Sequence, residues 1–194
     1  MNNQIAWIIG AYLLGSIPTG LLLGKMYGVD VRKAGSGNIG ATNLYRTVGR
    51  KIGVITLIGD CLKGMLPVLL AWKLGMGEPV QAWVGLAAFC GHVFSIFLLF
   101  KGGKGVATAL GVYLALSPLA VLGALALFVI LVAVWRYISL GSIAAAAAMP
   151  VIIWCRPHST ELLAATAIIS VIVIIKHHTN IARLAAGTES KFKA

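Results

Sequence analysis

Residues 105–135 read GVATALGVYLALSPLAVLGALALFVILVAVW, without one charged side chain. A stretch this long and apolar reads as membrane-embedded, since about 20 such residues span the hydrocarbon core of a bilayer. Proline lacks the N–H that a helix interior needs, so Ser117-Pro118 divides the stretch into helices at 105–117 and 119–135. Working outward, further apolar runs fall at 5–24, 53–75, 79–100, 139–155 and 161–176. The fold expected is all-α: a polytopic membrane helix bundle of about seven transmembrane helices, forming one integral-membrane domain over 1–194. The runs 105–117 and 139–155 are short for a span, which leaves a count of five or six as the alternative. Met1–Gln4 carries no positive n-region of a secretory signal, so the first run reads as a retained helix.

Composition agrees. Of 194 residues, 59% are hydrophobic and 11% charged, and 16 Lys and Arg face five Asp and Glu for a net charge of +11. An ordinary soluble domain carries about a quarter charged residues, and a disordered basic tail is poor in aliphatics; both are excluded. If seven helices alternate, the cations from Lys25 to Lys51, Lys101 and Lys104, Arg136, and those from Lys176 to Lys193 share one side. The positive-inside rule makes that side cytoplasmic, with the N-terminus outside and the C-terminus inside. Cys61, Cys90 and Cys155 are isolated, show no metal-ligand spacing and read as small buried hydrophobes, so neither a disulfide framework nor a metal site is expected.

The longest polar insertion, 27–51, is too glycine-rich for a stable helix. Within it, Gly35-Ser36-Gly37-Asn38-Ile39-Gly40 matches GxGxxG, with Asp60 20 residues beyond Gly40. A dinucleotide fingerprint also needs a βαβ unit, and Asp60 falls in an apolar run, so that reading fails. Small residues in succession let backbone N–H groups converge on an anion. Gly40-Ala41-Thr42-Asn43 extends the run and Arg46 follows, a group matched to an oxyanion such as phosphate. A second cluster, Lys101-Gly102-Gly103-Lys104-Gly105, is not a Walker A loop but again sets lysines beside exposed backbone at a helix start. Two such clusters suggest two anionic groups.

Asp60 and Lys63 lie three apart in an apolar segment, where charges are costly and face a partner or a cavity. His92, in the third run, is either a buried hydrogen-bonded histidine or a site member. After the seventh run, His177 and Asn180 stand one turn apart with Arg183 beyond, and Ser139 and Ser142 open the sixth run beside Arg136.

These pieces, in order, resemble one family: the bacterial membrane glycerol-3-phosphate acyltransferases that use acyl phosphate, the PlsY family. The resemblance runs through Gly15-Ser16-Ile17-Pro18, Gly35–Asn43, Asp60–Pro67, Gly91-His92, Phe100–Thr108 and Asn180–Glu189. It implies a seven-helix inner-membrane enzyme, its active site facing the cytoplasm, that acylates the 1-hydroxyl of glycerol 3-phosphate. The product would be 1-acyl-glycerol 3-phosphate (lysophosphatidic acid), the first step of phospholipid synthesis. It also implies a functional link to the enzyme supplying acyl phosphate, contact with membrane lipid, no cofactor and no nucleic-acid partner. By motif, Ser36, Arg46, Lys104 and His177 form the catalytic set. Gly35, Gly37, Asn38, Gly40, Ala41, Thr42, Asn43, Asp60, Lys63, His92, Ser142 and Asn180 join in substrate binding. The Gly35–Asn43 loop would hold acyl phosphate, and Arg46, Lys104, Ser142, His177 and Asn180 would hold glycerol 3-phosphate.

No histidine has an Asp five residues on, so the His-x4-Asp pair of acyl-CoA-dependent acyltransferases is missing. The expected chemistry is direct attack of the glycerol hydroxyl on the mixed anhydride, with the proton passing to a substrate phosphate or to His177. The rival class is a transporter or channel for phosphate esters. It lacks support because no helix repeat is evident and the polar clusters gather on one side.

Overall fold

A computed structural model describes residues 2–192. Ten α-helices lie among them: α1 Asn2–Ser16, α2 Thr19–Met26, α3 Ala41–Thr47, α4 Arg50–Lys73, α5 Glu78–Val93, α6 Val106–Leu116, α7 Pro118–Trp135, α8 Ile138–Trp154, α9 Thr160–Lys176 and α10 His178–Ala185. A 3-10 turn at Ile96–Leu98 follows α5, and no strand occurs among the described residues. Each of the seven apolar runs falls on helix.

Length and composition qualify four spans: Gln4–Met26, Arg50–Lys73, Glu78–Leu98 and Pro118–Trp135. A fifth arises if Thr160–Lys176 joins His178–Ala185 across a 55° bend. The 11 residues of α6 reach only about 16 Å, against roughly 30 Å of hydrocarbon. These apolar helices make the chain a multi-pass membrane protein.

Three expectations need correction. The run 5–24 is two helices, because Pro18 removes a donor and breaks the ladder between Ser16 and Thr19. The insertion 27–51 does contain a helix: glycines stop at Gly40, and α3 buries Leu44 and packs on α4. Cys155, at the C-cap of α8, is exposed rather than buried, whereas Cys61 and Cys90 are half-buried.

The chain forms two compact units, Met1–Leu116 and Ser117–Ala194. In the first, α1 packs on α5, and α4 packs on both α5 and α6. Lipid provides no hydrophobic drive between helices, so close backbone approach must supply the packing. A Cβ on Gly15 would stand 2.0 Å from Ala88 O, and one on Gly111 would stand 1.9 Å from Cys61 O. These glycines are what let α1 meet α5 and α6 meet α4. In the second unit, α8 lies against α7 and α9, and α10 turns off α9.

Candidate active site

The first unit carries two polar groups. In the insertion before α4, Asn43 is buried and holds the loop on its amide. Its Nδ2 donates to Val31 O at 3.1 Å, Ala34 O at 3.1 Å and Asn38 O at 2.8 Å. Its Oδ1 accepts from Ser36 N–H at 2.9 Å. Asn38 Oδ1 in turn accepts from Gly40 N–H at 2.8 Å. Gly35 and Gly37 have φ of +58° and +71°, left-handed conformations that glycine adopts without steric cost. The loop is therefore prearranged by its own bonds, and the N–H groups of Ser36, Gly37 and Gly40 are used internally. Ser36 and Arg46 are exposed, while Ala41 and Thr42, which open α3, are half-buried. Ahead of the loop, Arg32 grips Asp30 through two bonds and holds its carboxyl down at about 2.

The second group joins α4, α5 and the Lys101–Gly105 loop. Asp60 and Lys63 form the predicted i,i+3 pair at 2.8 Å, both nearly inaccessible. His92 Nδ1 stands 3.6 Å from the same Asp60 oxygen. Lys63 Nζ also donates to Ile17 O at 2.7 Å, and Ser95 Oγ donates to Ser16 O at 2.6 Å. Both carbonyls lie at the Pro18 break, where the helical ladder is interrupted and Ile17 O also accepts from Thr19 N–H at 3.0 Å. Lys63 and Ser95 thus add side-chain donors to the carbonyls at the break, in a medium where water cannot supply them. The loop's Gly102 and Gly103 N–H groups donate to Val93 O and His92 O. A Cβ on Gly102 would sit 2.0 Å from His92 O, and one on Gly103 would sit 2.3 Å from His92 Nε2. Only glycine lets this loop lie on the end of α5 and set Lys104, half-buried, just before α6.

The second unit has its own polar group. Glu189 Oε1 accepts from Ser139 Oγ at 2.7 Å and Asn180 Nδ2 at 2.6 Å, while Oε2 accepts from Arg183 Nε at 2.6 Å. His177 is buried at the α9–α10 corner, with Nδ1 2.8 Å from Val173 O. A carbonyl only accepts, so Nδ1 carries a hydrogen. Ser142 is buried and spends its hydroxyl hydrogen on Ile138 O at 2.8 Å.

The structure thus joins Asp60, Lys63 and His92 with the Lys101–Gly105 loop, and it sets Gly35–Asn43 around one amide. Asn180 is joined to Ser139 and Glu189, and Ser142 does not enter that group. Sequence reasoning passed over Ser95, which carries no motif, and saw Ile17 only as part of the Gly15–Pro18 motif, with no role for its carbonyl. Glu189 was visible only as the end of a motif, although its being one of five acids was a usable signal. No group of three or more His, Cys, Asp or Glu among the described residues is arranged to hold a metal.

Burial raises the Glu189 carboxyl, but its bonds from Arg183, Ser139 and Asn180 outweigh this and hold it below its ordinary 4.5. A depressed folded-state value means these bonds stabilise fully above pH 4.5 and are lost as pH falls through and below it. Unfolding midpoints measured down through that pH should fall in the parent, and Glu189→Gln should flatten the fall.

The glycerol-3-phosphate acyltransferase family model matches residues 5–187. The glycerol-3-phosphate acyltransferase of Trichlorobacter lovleyi is 79% identical over the full length of both chains, and that of Geobacter sulfurreducens is 62% identical, likewise over both full lengths. Crystal structures of PlsY, an integral membrane glycerol 3-phosphate acyltransferase, superpose on this chain with TM-scores of 0.95 in the glycerol 3-phosphate form and 0.92 in the lysophosphatidic acid form. In both forms PlsY is 40% identical, and the match covers 98% of this chain and 96% of PlsY. With the family model over residues 5–187 and relatives matched over their full length, the chain belongs to the glycerol-3-phosphate acyltransferase family.

Proposed function

We propose that this protein is an acyltransferase that moves an acyl group from acyl phosphate to the 1-hydroxyl of glycerol 3-phosphate, releasing 1-acyl-glycerol 3-phosphate and phosphate. The observation that carries this is the near-identity of fold with PlsY in forms bearing glycerol 3-phosphate and lysophosphatidic acid. The family match crosses both units, in keeping with one functional domain over 1–194. Seven spans, with the N-terminus outside and the C-terminus and active site facing the cytoplasm of a bacterial inner membrane, are the topology we assign. The one-sided cations support it.

Acyl phosphate as donor fits a protein whose carboxylates are all structurally engaged. Asp30, Asp60 and Glu189 each hold a cation, and Glu78 and Glu161 open α5 and α9, where the helix dipole favours negative charge. A mixed anhydride has a good leaving group and asks less of a protein base. In this reading Ser36 and the Gly35, Gly37, Asn38, Gly40, Ala41 and Thr42 loop, built around the Asn43 amide, hold the donor phosphate. Arg46, Lys104, Ser142, His177 and Asn180 hold glycerol 3-phosphate, and Asp60, Lys63 and His92 fix the loop that bears Lys104. The hydroxyl attacks the acyl carbon, the C–O bond to the departing phosphate breaks, and the hydroxyl proton passes to a substrate phosphate. The cations among these residues stabilise the charge that develops.

The test uses purified protein in lipid. With acyl phosphate alone its mass stays unchanged, and adding glycerol 3-phosphate then yields lysophosphatidate and phosphate in equal amounts. A trapped acyl-Ser36 that is chased into product contradicts direct transfer. Glycerol 3-phosphate flux into sealed vesicles without acylation supports the transporter instead. If His177 binds phosphate, His177→Gln keeps turnover within about tenfold at saturating acceptor; a loss beyond roughly 10²-fold with binding intact makes it the base.

A further inference from the structure

Beyond α10 the chain folds back on its own unit. Thr188 N–H donates to Arg183 O at 2.8 Å, and Glu189 gathers Asn180, Ser139 and Arg183. Phe192 then meets Arg136 in a reciprocal pair. Phe192 N–H donates to Arg136 O at 2.6 Å, and Arg136 Nε donates to Phe192 O at 3.1 Å. Next to it, Lys191 Nζ stands 6.0 Å from the Tyr137 ring centre. Arg136 ends α7, its N–H donating to Val132 O, and has φ +63°. That left-handed cap position ordinarily belongs to glycine. An arginine there sacrifices backbone ease, and its side chain is in use.

We propose that Arg136 is a positioning residue. Its clasp on Phe192 anchors the segment Thr188–Phe192 at the α7–α8 corner, so that the Glu189 carboxylate stands fixed and turns the Asn180 amide. Asn180 follows His177 by one helical turn, so the clasp governs how the acceptor's ligands are presented and not the bond-making step. This rests on the reading that Asn180 binds glycerol 3-phosphate. The bland alternative is that Arg136 is one more cytoplasmic charge, and chemistry separates the two. Glutamine places its Nε2 the same number of bonds from the backbone as arginine's Nε, keeping the donor and losing the charge. Methionine keeps the length and loses both.

The experiment compares Arg136→Gln and Arg136→Met in lipid, measuring steady-state constants for each substrate and amide exchange over residues 188–192. The expected result is that Arg136→Met raises KM for glycerol 3-phosphate about fivefold, the fold-change of one ordinary hydrogen bond. Its kcat and donor KM stay within about twofold, exchange at Phe192 quickens, and Arg136→Gln stays near the parent in every readout. Equal behaviour of the two variants overturns the proposal, as does an unchanged KM in Arg136→Met. So does a parallel loss in both substrates that tracks the folded fraction, which is a structural role alone. If the parent acylates nothing, the function reading fails, and exchange alone decides the clasp: equal rates in Arg136→Met and parent overturn it.

Discussion

Asp60→Ala is expected to destabilise the protein by about 3–5 kcal/mol, the usual cost of breaking a buried pair by removing one partner. The change leaves the Lys63 ammonium, 6% accessible, with its charge uncompensated and the Ile17 carbonyl as a remaining acceptor. It also removes the negative charge facing His92, which backs the Lys104 loop. Unfolding in detergent or lipid should show the loss together with a fall in activity. The diagnostic arm is the double variant Asp60→Ala/Lys63→Met, which buries no lone charge and should recover most of the stability. Recovery stops short by about 1 kcal/mol because the Lys63 bond to Ile17 O is gone too. A double variant as unstable as Asp60→Ala alone would show that the pair does not act as a unit.

Asn43→Asp is the second large effect. The two side chains have one shape, and Asp still accepts from Ser36 N–H. It cannot donate, so Val31, Ala34 and Asn38 lose a shared donor and instead face a carboxylate oxygen. Each buried acceptor left unpaired costs about 1–3 kcal/mol. The new charge also repels the phosphate that the loop is proposed to hold. Acyl transfer should fall at least about 10²-fold, the scale of an ångström-sized displacement in a site. The helical content should hardly change, since the insertion is framed by helices with their own packing. Near-parental rates at low donor concentration would mean that the loop does not hold the donor.

Sequence patterning located every helix-rich run because apolarity persists over whole spans. It missed the Pro18 break, although Ser16, Pro18 and Thr19 interrupt the apolar run much as Ser117-Pro118 does. It missed α3 because glycine content was averaged over the insertion, although the glycines end where Ala41 begins. The Asp60–Lys63 pair was legible, since helical periodicity fixes neighbours three apart. Lys63 on Ile17 O and Ser139 on Glu189 join residues 46 and 50 apart in sequence, and local spacing carries no trace of such contacts. The family motifs marked both regions without saying what each side chain touches. Asn43 shows the difference: it was read as a phosphate ligand, and its amide is committed to building the loop.

The charge imbalance takes on a definite sense at the residue level. In the proposed reading the excess of cations sets orientation and supplies phosphate ligands, while the five carboxylates brace loops, buried cations and helix starts. On that reading the donor is a mixed anhydride, whose phosphate leaves readily without a protein carboxylate to assist it. The most direct measurement offers the purified protein acyl phosphate, acyl-CoA and acyl carrier protein separately, each with glycerol 3-phosphate, and follows lysophosphatidate. The prediction is rapid product formation from acyl phosphate, with one phosphate released per acyl transferred, and negligible product from the two thioesters. Efficient transfer from a thioester, with none from acyl phosphate, would contradict it.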